Sequence, residues 1–367
     1  MIRVLQIGMI DFHGGIESFL INYYRNTNKE KIQFDFINIS NNKLCFEDEI
    51  IALGGKIYKV SNYYKHPFKY IKEVKKIIQE QNYEIVHCNM NSAVFLHPLI
   101  ASKLAKAKTI ISHSHNSSSD KGLIKSLLHF INKHFIPVFA NTYFACSDKA
   151  GRWFYSKRIR NSNKYYIINN AIDLDKYKFN KNIRTKKRKE LKIDNDTIVI
   201  GHVGRFNKQK NHLFLLNIYN EFHKIVPNSK LFLVGSGPLL EKAIEKTKEL
   251  KLTNSVYFLG QRNDISELYQ AMDIFLLPSL YEGLPLVGVE AQTAGLNCAF
   301  SDVITREVML SDKVKYLSLQ KKPKEWAKEI LKLNINNREN INAEPFDIRE
   351  NAKKLENIYF KLKERNR

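Results

Sequence analysis

Two glutamates, Glu282 and Glu290, stand eight positions apart in the last third of a 367-residue chain. A Gly283-Leu284-Pro285 turn follows the first, and an apolar run leads to the second. The hydrophobic stretch 273–277 ahead of them reads as a strand. Glu282 is therefore predicted at a strand-to-helix turn and Glu290 inside the helix, since eight residues span about two helical turns. Such a turn brings the amides of Gly283, Leu284 and Leu286 to a helix N-terminus. Unsatisfied N–H groups gather there and bind anions and hydroxyls. Taken alone, the same pattern is equally compatible with plain α/β scaffolding.

The stretch from Ser279 to Ala291 resembles the S-x-x-E-G-x-P-x-x-x-x-E-A signature of the retaining nucleotide-sugar glycosyltransferases with the two-domain GT-B fold. Other segments resemble that family too. Gly204-Arg205-Phe206-Asn207-Lys208-Gln209-Lys210-Asn211 is similar to its G-R-x-x-x-x-K-G segment, with Asn211 in place of the usual glycine. The resemblance implies that Arg205 and Lys210 bind the donor diphosphate. Cleaving a sugar–diphosphate bond loads negative charge on the leaving group, where two cations at about 4 Å contribute several kcal/mol each at an effective dielectric near 20. Gly235 lies in Val234-Gly235-Ser236-Gly237-Pro238-Leu239, similar to the V-G-x-G-P-L turn. Arg262 lies in a stretch resembling F-x-G-x-x-x-D, whose backbone reads the nucleotide base.

The resemblance further implies that Glu290 accepts from the ribose hydroxyls, as a carboxylate can from a vicinal pair. Glu282 is implied nearer the transferred sugar. Gly14 and Gly15, in Gly14-Gly15-Ile16-Glu17, resemble the G-G-x-E segment, where backbone N–H groups meet the diphosphate or the acceptor. Within Ser112-His113-Ser114-His115-Asn116-Ser117, His115 matches the family's active-site histidine near the sugar's primary hydroxyl. His113 and His115 would share one face of a strand, so a metal reading of His-x-His stands as a minor alternative. His87 and Asn89 sit at another expected strand end. Asn170-Ala171-Ile172-Asp173 is similar to the family's N-G-x-D turn, with Ala171 in the glycine position. The resemblance covers residues 14–294.

The elements needed to hold these residues are legible as alternating short apolar runs and amphipathic stretches, the mark of doubly wound α/β units. Strands are predicted over 3–8, 33–39, 56–60, 85–87, 109–112 and 142–145, then over 198–201, 230–234, 255–259 and 274–277. Helices are predicted over 17–25, 67–81, 122–138, 209–226, 238–250, 265–271 and 350–365. A polar basic stretch, 183–190, separates the two series. The fold class is α/β: two Rossmann-like domains facing an interdomain cleft, at residues 1–180 and 181–345. A C-terminal helix, 346–367, returns to the first domain. Open α/β sheets bind ligands beyond the carboxyl ends of their strands, and the candidate residues fall there.

Hydrophobic residues make up 44% of the chain, enough for two cores. The four cysteines (Cys45, Cys88, Cys146, Cys298) lack CxxC spacing, which argues against a disulfide framework or zinc ribbon and for a reducing compartment. Residues 1–8 read as a strand rather than a signal peptide, and no run of 18 apolar residues occurs. A cytoplasmic protein is expected, with peripheral association at the inner face of the cell membrane as an added hypothesis. The net charge of +22 suits nucleic acid, an anionic membrane or phosphorylated substrates, and also follows from a bias toward Lys, Asn, Ile and Tyr. Zinc-finger spacing and RNP-type motifs are missing, so no nucleic-acid partner is expected.

The expected activity is retaining transfer of a sugar from a nucleotide-sugar, a UDP-sugar foremost. The acceptor is a glycan or polyprenyl-diphosphate-linked sugar in bacterial surface polysaccharide synthesis. The resemblance implies a hexosyltransferase with neither cofactor nor metal. Basic amphipathic stretches at 63–76 and 121–134 either face an anionic lipid surface or pack as ordinary helices on the sheet. Rival readings are a UDP-sugar epimerase of GT-B type and a basic nucleic-acid-binding protein.

Overall fold

Short runs rich in Ile, Val and Phe become strands here because both faces of each sheet are covered, so continuous apolar character is affordable. The structure, a computed structural model, describes residues 1–12, 14–116, 122–333, 335, 338–339 and 341–365. Of the positions singled out above, Ser117, Lys121 and residues 366–367 of the predicted C-terminal helix lie outside the described residues.

The chain divides into two compact units, Met1–Ile172 with Pro345–Arg367, and Asp173–Glu344. The first contains β1 (Ile2–Ile7), β2 (Ile32–Asn38), β3 (Ile57–Lys59), β4 (Ile85–Met90), β5 (Thr109–Ser114), β6 (Thr142–Ala145) and β7 (Tyr165–Ile167). They form one parallel sheet in the order β3-β2-β1-β4-β5-β6-β7. Strands β2, β4 and β5 are buried along their whole length. The second unit contains β8 (Ile198–Val203), β9 (Ser229–Val234), β10 (Val256–Gly260), β11 (Ile274–Leu277), β12 (Asn297–Ser301) and β13 (Val314–Leu317). Its parallel order is β10-β9-β8-β11-β12-β13.

The division falls between Ile172 and Asp173, ahead of the boundary at 180/181 suggested by sequence. The basic stretch that separates the two series lies in the helix Lys181–Glu190, built into the second unit. Three of its cations are paired: Arg184 and Arg188 reach Asp273 at 2.6 and 3.3 Å, and Lys187 meets Asp264 and Glu267 at 2.9 and 2.8 Å. Asn180 caps it by accepting from the amides of Asn182 and Ile183.

The C-terminal helix Ile348–Glu364 belongs to the first unit. Backbone bonds between Ile172 and both Phe346 and Ile348 dock its start, at 2.9 and 3.0 Å. Its stripe of Ile348, Ala352, Leu355, Ile358, Tyr359 and Leu362 joins one apolar cluster with Phe19, Tyr23 and Phe34.

The two basic stretches behave differently. Helix Pro67–Glu80 buries Tyr70, Val74 and Ile78 against the sheet, as ordinary amphipathic packing requires. Helix Gly122–Asn132 buries only His129 among its residues and exposes Leu123, Ile124, Leu127 and Phe130.

Candidate active site

In each sheet, strand order reverses between two central neighbours, β1 and β4 in the first unit, β8 and β11 in the second. Loops leaving the carboxyl ends of such a pair diverge and open a crevice. In the second unit those loops are 204–211 and 278–285, which carry Arg205, Lys210 and Glu282.

The two loops are stitched together. Leu280 N–H donates to the Gln209 carbonyl at 2.8 Å, and Asn211 Nδ2 donates to the Pro278 carbonyl at 3.2 Å. Lys210 Nζ lies 2.7 Å from Glu282 Oε1, and Gln209 Nε2 donates to Glu282 Oε2 at 3.1 Å. Glu282 is only 6% exposed, so its carboxylate is held between a cation and an amide in a poorly hydrated place. An ammonium has three donors, and the Glu282 contact uses one. Arg205, on the same loop, is exposed.

Asn211 occupies the glycine position with φ of 56°, the left-handed region, and precedes the helix His212–Ile225. Asparagine is one of the few residues that tolerate this conformation, so the departure from glycine keeps the turn and adds the tie to Pro278. Gly235 follows β9 with φ of 135°, and a Cβ there would lie 2.2 Å from the Gly204 carbonyl. Only glycine lets that turn press against the Arg205 loop.

Pro285 is the N-cap of the helix Leu286–Thr293 and makes no side-chain capping bond. The first amides of this helix, including that of Leu286, are thus free of intrahelical partners. Gly283 is half-buried and Leu284 buried in the preceding turn. Glu290 is half-buried on this helix and accepts from the Tyr269 hydroxyl at 3.0 Å. Burial raises its carboxyl above the ordinary value, and bonds from Tyr269 and Tyr177 oppose the rise. The Arg262 side chain is committed to Asp264 through two bonds of 2.7 and 2.6 Å.

In the first unit, Gly14 and Gly15 begin the helix Gly15–Asn26. A Cβ on Gly15 would meet nothing within 4 Å. Glu17, which the sequence reading did not single out for a role, is buried and accepts from the Ile10 amide at 3.0 Å. Burial pushes its carboxyl up to about 7.

His115 follows β5 and bonds Asn89 Oδ1 through Nε2 at 2.9 Å. Burial lowers its pKa to about 3, so it is neutral at pH 7. His113 Nδ1 pairs with His87 Nε2 at 3.0 Å, and His87 Nδ1 with the Tyr359 hydroxyl at 2.7 Å. His87 thus has a structural partner on each nitrogen. Among the described residues, no group of three or more His, Cys, Asp or Glu side chains could hold a metal ion. No helix among them is long and apolar enough to cross a membrane. Gln209 and Glu17 are contributors to which sequence reasoning gave no role; Asn89 was placed at a strand end by sequence, but not its bond to His115. Only Gln209, beside Lys210, had a local cue.

Residues 13–176 match Glycosyltransferase Family 4, and residues 183–355 match Glycosyl transferases group 1. EpsF of Bacillus subtilis (strain 168), named as a glycosyltransferase, is 32% identical over 97% of this chain and 96% of its own. CapH of Staphylococcus aureus, a capsular polysaccharide biosynthesis glycosyltransferase, is 27% identical over 98% of this chain and 99% of its own. An Escherichia coli enzyme, UDP-Gal:alpha-D-GlcNAc-diphosphoundecaprenol alpha-1,3-galactosyltransferase, is 29% identical over 62% of this chain and 60% of its own. HepE of Anabaena, solved with UDP and glucose, superposes with a TM-score of 0.80 over 98% of this chain and 99% of its own, at 19% identity. That likeness shows a GT-B fold, and the near full-length match to EpsF carries the family. The chain belongs to the glycosyltransferases of group 1 and Family 4.

Proposed function

We propose that this chain transfers a hexose from a UDP-sugar, with retention at the anomeric carbon, to a polyprenyl-diphosphate-linked glycan in surface polysaccharide synthesis. The observation that carries this reading is the Lys210–Glu282 pair at 2.7 Å, set on stitched loops at the strand-order reversal. The names of CapH, of the Escherichia coli galactosyltransferase and of UDP-bound HepE support the donor and acceptor classes.

In this mechanism the bond between the anomeric carbon and the diphosphate oxygen breaks, and its electron pair leaves with UDP. Arg205 and Lys210 stabilise that charge, the role otherwise open to a metal ion. The acceptor hydroxyl attacks from the same face, and its proton passes to the leaving phosphate. Glu282, fixed by Lys210 and Gln209, orients sugar hydroxyls. Glu290 takes the ribose, the turn amides of Gly283, Leu284 and Leu286 meet hydroxyls or phosphate, and Gly235 and the Arg262 backbone shape the nucleotide side. Gly14 and Gly15 offer amides to the diphosphate or acceptor, and His115 faces the transferred sugar.

Isothermal titration with UDP, GDP and ADP tests the donor; tight binding confined to UDP is expected, and no binding of any nucleotide overturns the reading. Transfer undiminished by EDTA is expected. A product whose anomeric configuration is inverted by NMR would sink the retaining assignment.

The exposed apolar face of helix Gly122–Asn132, flanked by Lys125 and Lys133, favours docking on an anionic lipid surface. Sedimentation with anionic vesicles at low salt is expected to carry the protein down, and a Leu123→Asp variant to stay in solution. Equal behaviour of the two would count against it.

A further inference from the structure

Building on the reading that His115 faces the transferred sugar, we propose that Asn89 is a positioning residue. It holds His115 as the Nε2–H tautomer, so that Nδ1 offers a lone pair to a sugar hydroxyl.

Asn89 lies in β4, paired in register with His113 of the neighbouring β5. Its amide nitrogen faces only acceptors: Nδ2 donates to the Ile7 carbonyl at 3.2 Å and to Gln6 Oε1 at 3.1 Å, with the His87 carbonyl at 3.4 Å. A backbone carbonyl can only accept. Were the amide turned over, two oxygens would face each other, so its orientation is fixed by β1. Oδ1 therefore points at His115 Nε2, 2.9 Å away, and being acceptor-only it requires the hydrogen to sit on Nε2. His115 is neutral and carries one ring hydrogen, which leaves Nδ1 bare. That atom is buried and has no hydrogen-bond partner among the described residues. A buried acceptor without a donor is costly, and a sugar hydroxyl supplies one.

The same polarity runs inward. With Oε1 taken by Asn89, Gln6 Nε2 donates to the Tyr359 oxygen at 3.2 Å. Tyr359 then passes its own hydrogen to His87 Nδ1 at 2.7 Å, and His87 Nε2–H donates to His113 Nδ1 at 3.0 Å. One carbonyl at the end of β1 thus sets the direction of a chain that reaches the C-terminal helix. His115 so held is an acceptor: it fixes a hydroxyl and supplies no proton to the leaving group.

The test combines NMR with kinetics on the full chain. In ¹⁵N-histidine protein, long-range proton–nitrogen correlations, assigned with His115→Gln, are expected to show His115 protonated on Nε2 alone. Asn89→Ala should give mixed tautomers and lower kcat by at least about tenfold with KM for the donor little changed. Asn89→Asp keeps an acceptor for Nε2–H but sets its second oxygen against the Ile7 carbonyl, so it should lose stability yet keep the tautomer and, at a temperature where both variants are folded, recover more of kcat than alanine does. Equal losses in both variants, tracking their melting temperatures, would mean a merely structural role and overturn the proposal. So would wild-type His115 carrying its hydrogen on Nδ1, or full kcat in Asn89→Ala. The NMR arm needs no substrate and survives a variant that fails to fold. An Nε2–H tautomer in a chain that transfers no sugar would uphold the tautomer and overturn the sugar contact.

Discussion

Lys210 and Glu282 serve each other in the resting protein, and their two contributions can be separated. Side-chain exposure is 14% for Lys210 and 7% for Glu282, so removing the cation leaves a carboxylate that is poorly hydrated. Breaking such a pair from one side costs about 3–5 kcal/mol, whereas removing both charges costs far less. Lys210→Ala is expected to lower both kcat and the urea midpoint. Adding Glu282→Gln should restore most of the stability while transfer stays down by roughly 100-fold or more. If the double variant regains activity, Lys210 is only Glu282's counterion. Asn211 makes a gentler case. Its φ of 56° strains L-residues through their Cβ, asparagine less than most. Asn211→Ala should cost about 1 kcal/mol through strain and the lost bond to Pro278, and Asn211→Gly less. Paired denaturation curves decide it; a more stable alanine variant would contradict the assignment of strain.

The C-terminal helix shows how far an element can lie in sequence from the core it completes. Leu355 is buried among residues of β2 and the helix Gly15–Asn26. Leu355→Ala should cost about 2–5 kcal/mol. The loss is expected only in the unfolding transition of the first unit, with that of the second unchanged. A shift in the second transition alone would mean the helix is grouped with the wrong unit. This helix was legible because its stripe repeats at helical spacing over 17 residues. Strands β8 and β11 were legible because buried parallel strands are continuous apolar runs. By contrast β12 reads Asn297-Cys298-Ala299-Phe300-Ser301, without a β-branched residue, and burial rather than propensity makes it a strand. Helix Lys181–Glu190 is absent from the predicted helices because its composition is polar; its order comes from ion pairs to residues some eighty positions away. The same limit divides the candidate site. Glu282, Glu290, Arg205 and Lys210 lie in local stretches that a reader can match. Asn89 meets Gln6 across 83 positions and His115 across 26, and no spacing within either segment encodes those contacts.

Buried neutral imidazoles make the protein's stability depend steeply on acid. Burial holds His115 and His202 at about 3 and His212 at about 2, and His87 and His113 well below the ordinary 6.5. For a group whose folded pKa is depressed, the stabilisation is complete above its unfolded pKa and is lost as pH falls toward the folded one. Between about pH 6 and 4 the unfolded chain therefore binds protons on these five rings that the native chain refuses. Glu17 has the opposite sign. Its folded pKa of about 7 stands above the ordinary 4.5, so its contribution is present at low pH and fades as pH rises through 7. From these five rings and Glu17 the uptake on unfolding near pH 5 is about four protons, a slope on the order of 5 kcal/mol per pH unit shared between the two units, and His129, held by burial at about 4, adds to it in the first unit. The net charge of +22 at pH 7 adds self-repulsion in the same direction. Urea midpoints are thus expected to be flat above pH 7 and to collapse between pH 6 and 5. Because the chain has two units, each transition must be followed separately. His212 stacks on Phe206 with ring centroids 4.0 Å apart, so His212→Phe keeps the aromatic contact and removes the titration. That variant should flatten the slope of the second unit by about one proton and leave the first unit's unchanged. Midpoints that stay constant from pH 7.5 to 5 would show that these rings are hydrated in solution, and with them the dry setting from which His115 draws its neutrality.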